Sequence, residues 1–543
     1  MKKTIVSILL ALAGISAYAA ASLEQIIPAP KEAVATGGTV SFAACKVKCC
    51  GVSADVKTIA GEFAEKLAAV SGSAAEKTPL TLKKDTSCPS EGYTVTVTAD
   101  GVTVCAADYN GFLYGLETLR QLLPASIYGT DPTPDADWTL PCCTIKDSPF
   151  FSYRGAHLDV ARHFFSVDEV KKYLDAMAVC KMNRFHWHLT EDQGWRIQID
   201  KYPLLTKIGA WRKGTQMGFD RNSCDGVRYG GYYTKDQIRE VVAYAKKLGI
   251  EIIPEIDLPG HMMGALASYP NLGCTGGPYE VWTKWGISKQ VLCPGKEETF
   301  KFLEDVLSEV TELFPYEIFH IGGDECPKDS WKTCPDCQKR IAELGYTDTE
   351  NGTKEDYLQS YVMTRMMNFL ATKGKRVIGW DEILRGDPAK GTTIMHWRGG
   401  RDCTEAARRG FDVVLVPSTY LYFDYVQLED YTKCPPSISS SHGKPGPNRI
   451  IPFSKTYSFE PFKGLNPEQS KHVVGVQCNL WTEYIATPEH LEYMAMPRMF
   501  ATSELQWADP ATPKNLERVK TAVTGHEFKV LDAMGFIYCT ELN

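Results

Sequence analysis

Two hydrophobic rhythms divide the chain. Between Leu23 and Cys143, apolar and polar residues alternate in short stretches. Gly92–Val97 and Gly101–Val104 each run in period two, with Ala99-Asp100-Gly101 as the turn between them. Tyr114–Leu123 shifts to a 3.6-residue rhythm and predicts an amphipathic helix. This is a small α+β unit, assigned to residues 23–147, with Pro132, Pro134 and the Asp/Thr-rich stretch Thr130–Thr139 marking its boundary.

After Phe150 the pattern becomes strand and helix in regular alternation. Continuous apolar runs suited to buried parallel strands occur at Gly155–Val160, Asn183–Leu189, Ile250–Ile256 and Ile318–Ile321. Four more follow at Arg376–Trp380, Thr392–Trp397, Val413–Val416 and Val473–Leu480. Helical periodicity separates most of them, as at Val167–Lys181, Lys235–Leu248, Glu297–Phe314 and Tyr357–Lys373. Eight such units predict an α/β fold, a (β/α)8 TIM barrel over residues 148–543, closed by a helix between Asn515 and Met534. The competing doubly wound sheet lacks its glycine-rich phosphate turn, since Gly322-Gly323-Asp324 is too short and too acidic to be one.

Composition adds the setting. A formal net charge of -7 over 543 residues gives no broad basic surface, so nucleic acid is not expected as a partner. Lys2 and Lys3, the apolar run Ile5–Ile15 and the small residues Ala17-Tyr18-Ala19-Ala20 have the three parts of a secretory signal peptide over residues 1–20. The run is short for a membrane span, so export to the periplasm or medium is expected, with no membrane insertion after cleavage. An exported chain with 18 cysteines is expected to form disulfides, with Cys274 and Cys293 as the leading pair. Cys326, Cys334 and Cys337 contain a C-x-x-C that could hold zinc but show no fourth ligand in sequence; Cys180 and Cys478 read as buried free thiols.

Reactive side chains gather where the predicted strands end, which is where barrels carry chemistry. The first strand leads into Asp159 and Arg162, the second into His186, His188, Glu191 and Asp192, the third into Glu255, Asp257 and His261. The fourth ends in His320 and the dyad Asp324-Glu325, the fifth in Trp380-Asp381-Glu382, the sixth in Trp397. Tyr422 and Asp424 follow the seventh; Trp481 and Glu483 follow the eighth. Carboxylates and indoles dominate, and there is no serine elbow. Aromatic faces stack on sugar C–H faces and carboxylates bind hydroxyls, so the set points to glycosidic-bond chemistry. The histidines and acids also admit a metal reading, but no H-E-x-x-H pair is present; no catalytic metal and no cofactor are expected. Asp324 and Glu325, read as successive strand residues, would point in different directions and act separately.

At these residues the chain resembles the family 20 glycoside hydrolases, the β-N-acetylhexosaminidases. The matching segments are DVARHFF (Asp159–Phe165), FHWHLTEDQGW (Phe185–Trp195), PEIDLPGH (Pro254–His261), HIGGDE (His320–Glu325), GWDEI (Gly379–Ile383) and LWTE (Leu480–Glu483). The resemblance implies a retaining exo-hydrolase in which the substrate's acetamido oxygen is the nucleophile. It makes Glu325 the general acid/base and Asp324 the acetamido-orienting aspartate. Tyr422 would bind the acetamido oxygen, and Trp380, Trp397 and Trp481 would wall the pocket. Arg162, Glu191, Asp424 and Glu483 would bind sugar hydroxyls, with Asp257 and His261 as an acid–imidazole support. The chain departs from many members in carrying Glu191 where they have aspartate, and Tyr422 is chosen over Tyr420 by the spacing Tyr-x-Asp. The implied partners are glycans ending in N-acetylhexosamine. Rival readings are a disaccharide-releasing lacto-N-biosidase relative, a catalytically silent glycan binder and a metal-dependent phosphoesterase.

Overall fold

Eight buried parallel strands close on one another in the computed structural model, which describes residues 22–72, 77–386, 388–399, 404–430 and 449–543. In chain order they are Tyr153–Asp159, Arg184–His188, Glu251–Glu255, Ile318–His320, Arg376–Trp380, Thr393–His396, Val413–Leu415 and Val473–Leu480. Each pairs with the next and the eighth returns to the first, with Gly155 opposite Gln477 and Leu480 opposite Leu158. The expected TIM barrel is therefore the observed one. The strands read as unbroken apolar runs because both faces are covered. Tyr153, Ile253, Ile378, Trp380, Met395 and Val414 fill the inside, and a larger apolar shell lies between strands and helices.

Local chemistry sets the crossover helices. Val167–Val179 starts at a capping box between Ser166 and Glu169, Lys235–Lys247 at one between Thr234 and Gln237, and Lys354–Thr372 at one between Thr353 and Asp356. The expected closing helix is present as two short helices, Leu516–Ala522 and Phe528–Ala533, joined by a wide π turn.

The N-terminal unit is a six-stranded sheet. Its order runs Glu32–Ser41, Thr139–Asp147, Tyr93–Thr98, Gly101–Ala106, Thr78–Lys84, Cys45–Cys50, with helices Ala54–Ser71 and Tyr109–Gln121 packed on it. The anticipated hairpin forms, Thr98 facing Gly101 across its turn. The Pro132/Pro134 stretch is not a boundary: Thr139–Asp147 follows it as an inner strand of the same sheet. Its proline hid it. Pro141 pairs only with the edge strand, at Thr39, and lies beyond the Cys143–Asp147 segment paired on the other side, so its missing N–H costs the ladder little.

Buried charge joins sheet to barrel. Arg154, on the first barrel strand, donates to both carboxylate oxygens of Glu91 at 2.8 and 3.0 Å. Fully buried Lys181 donates to the Tyr93 and Thr118 hydroxyls and lies 3.8 Å from Asp147.

The proposed signal segment, residues 1–20, lies outside the described residues. No helix among the described residues is long and apolar enough to cross a membrane. The sixteen described cysteines are all free thiols, Cys180 and Cys478 buried among them. The disulfide expected between Cys274 and Cys293 is absent: both sulfurs belong to a cluster with Cys334 and Cys337, from which Cys326 is excluded.

Candidate active site

The carboxyl ends of four neighbouring strands put Asp159, His188, Glu255 and His320 in one register layer, each buried. Glu255 is its hub. His188 Nδ1 lies 2.5 Å, His186 Nε2 2.9 Å and His320 Nδ1 2.9 Å from its carboxylate, and Trp380 Nε1–H donates to Oε1 at 2.7 Å. Burial alone would raise the Glu255 pKa, but His320, His188 and His186 outweigh it and hold the carboxyl well below its usual range. The fold gives three histidines the same acid, distant from each of them in sequence. Thus the floor of the site is a charge-satisfied platform that fixes the Trp380 indole.

Above it opens a cleft lined by Arg162, Asp324, Glu325, Trp380, Trp397, Tyr422, Asp424, Trp481 and Glu483, nine of the twelve expected residues. The indoles of Trp380 and Trp481 lie 5.8 Å apart, and Tyr422 stacks on Trp397 at 6.1 Å with 19° between the rings. Trp397 Nε1–H donates to Glu382. The Arg162 guanidinium lies 5.0 Å over the Trp481 ring and is fixed by Asp159 (3.1 Å), Glu191 (2.6 Å) and Gln193 (3.1 Å), leaving Glu483 at 4.0 Å. Such a cleft, indole walls with carboxylates and the guanidinium groups of Arg162 and Arg449, suits a ring with apolar faces and equatorial hydroxyls.

Glu191, Asp257 and His261 do not line this cleft; each is at most 3% exposed. Glu191, expected to meet a sugar hydroxyl, spends one carboxylate oxygen on Arg162 Nη2 and on His261 Nδ1, the latter at 2.7 Å. The extra methylene relative to aspartate lets a buried carboxylate reach both. Asp257, expected as the partner of His261, instead accepts from the Gly323 N–H at 3.2 Å. The acid of the acid–imidazole pair is therefore Glu191, with Asp192 3.5 Å from the same nitrogen.

The loop after the fourth strand explains the dyad. The strand ends at His320, so Asp324 and Glu325 are not successive strand residues. Gly322 (φ +63°) and Gly323 (φ +99°) turn the chain, and Glu325 itself has φ +41°. Contrary to the divergence expected of successive strand residues, this left-handed turn brings the two carboxyls within 4.8 Å of one another beside the His261 imidazole. A non-glycine residue in that region is strained, and His261, facing the dyad, is the same (φ +50°). A Cβ on Gly322 would stand 1.7 Å from Asp257 Oδ1, so only glycine lets the loop pass that close.

His261 Nε2 is 3.6 Å from Asp324 and 3.8 Å from Glu325. Burial disfavours its charged form, but Glu191 and Asp324 prevail and raise its pKa well above the usual value, making it an imidazolium. Asp324 is pushed up to about 7, chiefly by burial, with Glu382, Glu255 and Glu325 adding and His261 opposing. Its Oδ1, like Asp424 Oδ1, is buried without a hydrogen-bond partner among the described residues. Both oxygens are acceptors placed for a ligand's N–H or O–H.

Sequence reasoning missed the rim residues Phe219, Tyr425, Arg449 and Tyr484, which lie on irregular loops with no periodic signal. It also missed the linking role of Asp192, which accepts from the Met263 and Ser288 amides and so ties two loops to the site.

Comparisons with known proteins agree with this geometry. The model of the glycosyl hydrolase family 20 catalytic domain matches residues 151–510, and that of glycosyl hydrolase family 20 domain 2 matches residues 24–148. A beta-hexosaminidase of Porphyromonas gingivalis is 41% identical over 85% of this chain and 58% of its own. One of Vibrio furnissii is 37% identical over 75% of this chain and 64% of its own. The chain thus spans about three-fifths of the length of these relatives. The exo beta-N-acetylglucosaminidase of Vibrio harveyi, solved in complex with N-acetylglucosamine, superposes with a TM-score of 0.79 at 31% identity, over 95% of this chain and 78% of that one.

Proposed function

The chain belongs to glycosyl hydrolase family 20, and from that premise we propose that it is a retaining exo-β-N-acetylhexosaminidase using its substrate's acetamido group as nucleophile. The observation that carries this reading is the Asp324–Glu325 turn beside an indole-walled cleft, with Asp324 Oδ1 buried and without a hydrogen-bond partner among the described residues. In it, the terminal sugar lies against Trp481 with its hydroxyls on Arg162, Asp424 and Glu483. The acetamido group sits between Trp380, Trp397 and Tyr422, its N–H on Asp324 and its oxygen held by the Tyr422 hydroxyl.

Glu325 gives its proton to the glycosidic oxygen as the acetamido oxygen attacks C1, breaking the C1–O bond and releasing the aglycone as an alcohol. Asp324, ionised, offsets the positive charge of the cyclic oxazolinium. Glu325, now a carboxylate, takes a proton from water, whose oxygen attacks C1 and reopens the ring with retention. Two carboxyls side by side on one turn suit this division; a direct-displacement retaining enzyme needs them about 5 Å apart on opposite sides of the sugar. The relatives' names and the N-acetylglucosamine bound to the Vibrio harveyi enzyme support the substrate class. The test is incubation with aryl β-N-acetylglucosaminide and -galactosaminide, following the first sugar released by NMR. The β anomer is expected, and the α anomer or no release overturns the proposal.

The Lys2–Ala20 segment supports export, with substrates met outside the cytoplasm: glycans ending in β-linked N-acetylhexosamine.

A further inference from the structure

Four cysteines distant in sequence converge beside the catalytic loops. Cys337 Sγ lies 3.5 Å from Cys293 Sγ and 3.8 Å from Cys274 Sγ, and Cys293 Sγ lies 3.7 Å from Cys334 Sγ. All four sulfurs fall within 4.8 Å of one another. A tetrahedron of thiolates around zinc, with metal–sulfur bonds of about 2.3 Å, has edges of about 3.8 Å. A disulfide would instead bring one pair to about 2.05 Å. The observed separations are those of the tetrahedron.

The local structure is built to hold them there. Cys334 caps the helix Pro335–Leu344 and Cys337 lies in its first turn, so C-x-x-C places two sulfurs on one side of a helix start. Cys274 and Cys293 flank an antiparallel bridge between Gly273 and Leu292, which closes the loop from below. Around them Val291, Trp331, Ile341 and Leu358 form an apolar cluster separate from the barrel core. We propose that Cys274, Cys293, Cys334 and Cys337 bind one structural zinc ion. Four thiolates fill the tetrahedron, so the ion keeps no open position for substrate or water.

Its position gives it a purpose. Cys274 and Cys293 belong to the excursion after the third strand, whose start carries His261 and whose Ser288 amide is held by Asp192. Cys334 and Cys337 belong to the excursion after the fourth strand, which carries Asp324 and Glu325 near its start and whose Trp331 indole donates to Leu292 O at 2.8 Å. The ion staples together the two loops that present His261 and the dyad. The geometry stands whether or not the catalytic roles proposed above hold.

The deciding measurement is metal and thiol content of the full chain purified from zinc-supplemented cells, without chelator. One zinc per chain is expected by mass spectrometry of the metals. Cobalt exchanged into the same protein should show the ligand-field absorption of a tetrahedral thiolate site. The Cys334→Ser/Cys337→Ser double variant should lose the full equivalent, whereas Cys326→Ser, altering the neighbouring buried thiol outside the cluster, should keep it. The wild-type zinc count and cobalt spectrum need no variant to fold. Less than a tenth of an equivalent in both purified and reduced, zinc-reconstituted protein overturns the proposal. So does peptide mapping that finds these four residues joined in disulfides, or iron bound in zinc's place.

Discussion

His261 Nδ1 stands 2.7 Å from Glu191 Oε1, both buried, while the opposite ring nitrogen faces Asp324 and Glu325. One carboxylate thereby holds a positive imidazolium against the two acids that serve the chemistry. Replacing Glu191 by Gln keeps the shape but removes the charge that sustains the imidazolium. We expect kcat to fall by roughly a hundredfold, the cost of a small loss of positioning, with a smaller change in KM. Steady-state kinetics on an aryl N-acetylglucosaminide checks it, and a change confined to KM would place Glu191 at the substrate instead.

Asp324 must be ionised to accept an amide N–H and offset the oxazolinium. Its carboxyl is raised to about 7 in the free protein, so it is neutral below that pH and charged above it. The sign is therefore a kcat/KM that rises with pH through about 7, reporting the free enzyme. Asp324→Asn should remove this limb while lowering turnover. A pH profile with the same limb in the variant assigns the titration to another group.

Glu325→Gln removes the proton donor alone. Turnover of alkyl or sugar aglycones should drop by roughly 10²–10⁴, whereas aryl substrates whose leaving group needs no proton should lose far less in the first step. Comparing the two substrate classes in one variant gives the answer; equal losses would mean that Glu325 does not protonate the leaving group.

Gly322→Ala places a methyl 1.7 Å from Asp257 Oδ1 at a φ of +63°. Overpacking of about 1–3 kcal/mol and a left-handed penalty of about 1 kcal/mol both act on the turn before the dyad. The variant is expected to melt earlier and to lose most activity, measured by calorimetry and single-turnover rate; wild-type values for both would mean that the turn accommodates a side chain.

Glu91 joins the N-terminal sheet to the barrel through Arg154. Burial would raise its pKa, but Arg154 dominates and lowers it to about 2. A carboxyl depressed on folding adds stability above its unfolded pKa and loses it as pH falls toward the folded value. With an unfolded pKa near 4.3, this pair contributes about 3 kcal/mol at neutral pH, lost between about pH 5 and pH 2. Glu91→Ala strands a buried guanidinium and should cost about 3–5 kcal/mol at pH 7, with a shallower acid dependence of the melting temperature.

The hydrophobic rhythm by itself determined the barrel. A parallel strand covered on both faces must be apolar throughout, so all eight runs were visible, as were the acids and indoles at their ends. Motif spacing likewise marked Asp324, Glu325, Trp380, Trp397, Tyr422, Asp424, Trp481, Glu483 and Arg162, each at a strand's end or a few residues beyond it. Tertiary structure alone decided partnership. Which carboxylate meets His261, that three histidines share Glu255, that Pro141 lies in an inner strand and that Cys274 joins Cys337 across 63 residues all depend on distances between segments far apart in the chain. Periodicity reports the environment of a residue, buried or exposed; it carries no information on which neighbour supplies that environment. The approach of Asp324 and Glu325 to one another was hidden for a related reason: two positive-φ glycines, not strand pleating, set their directions.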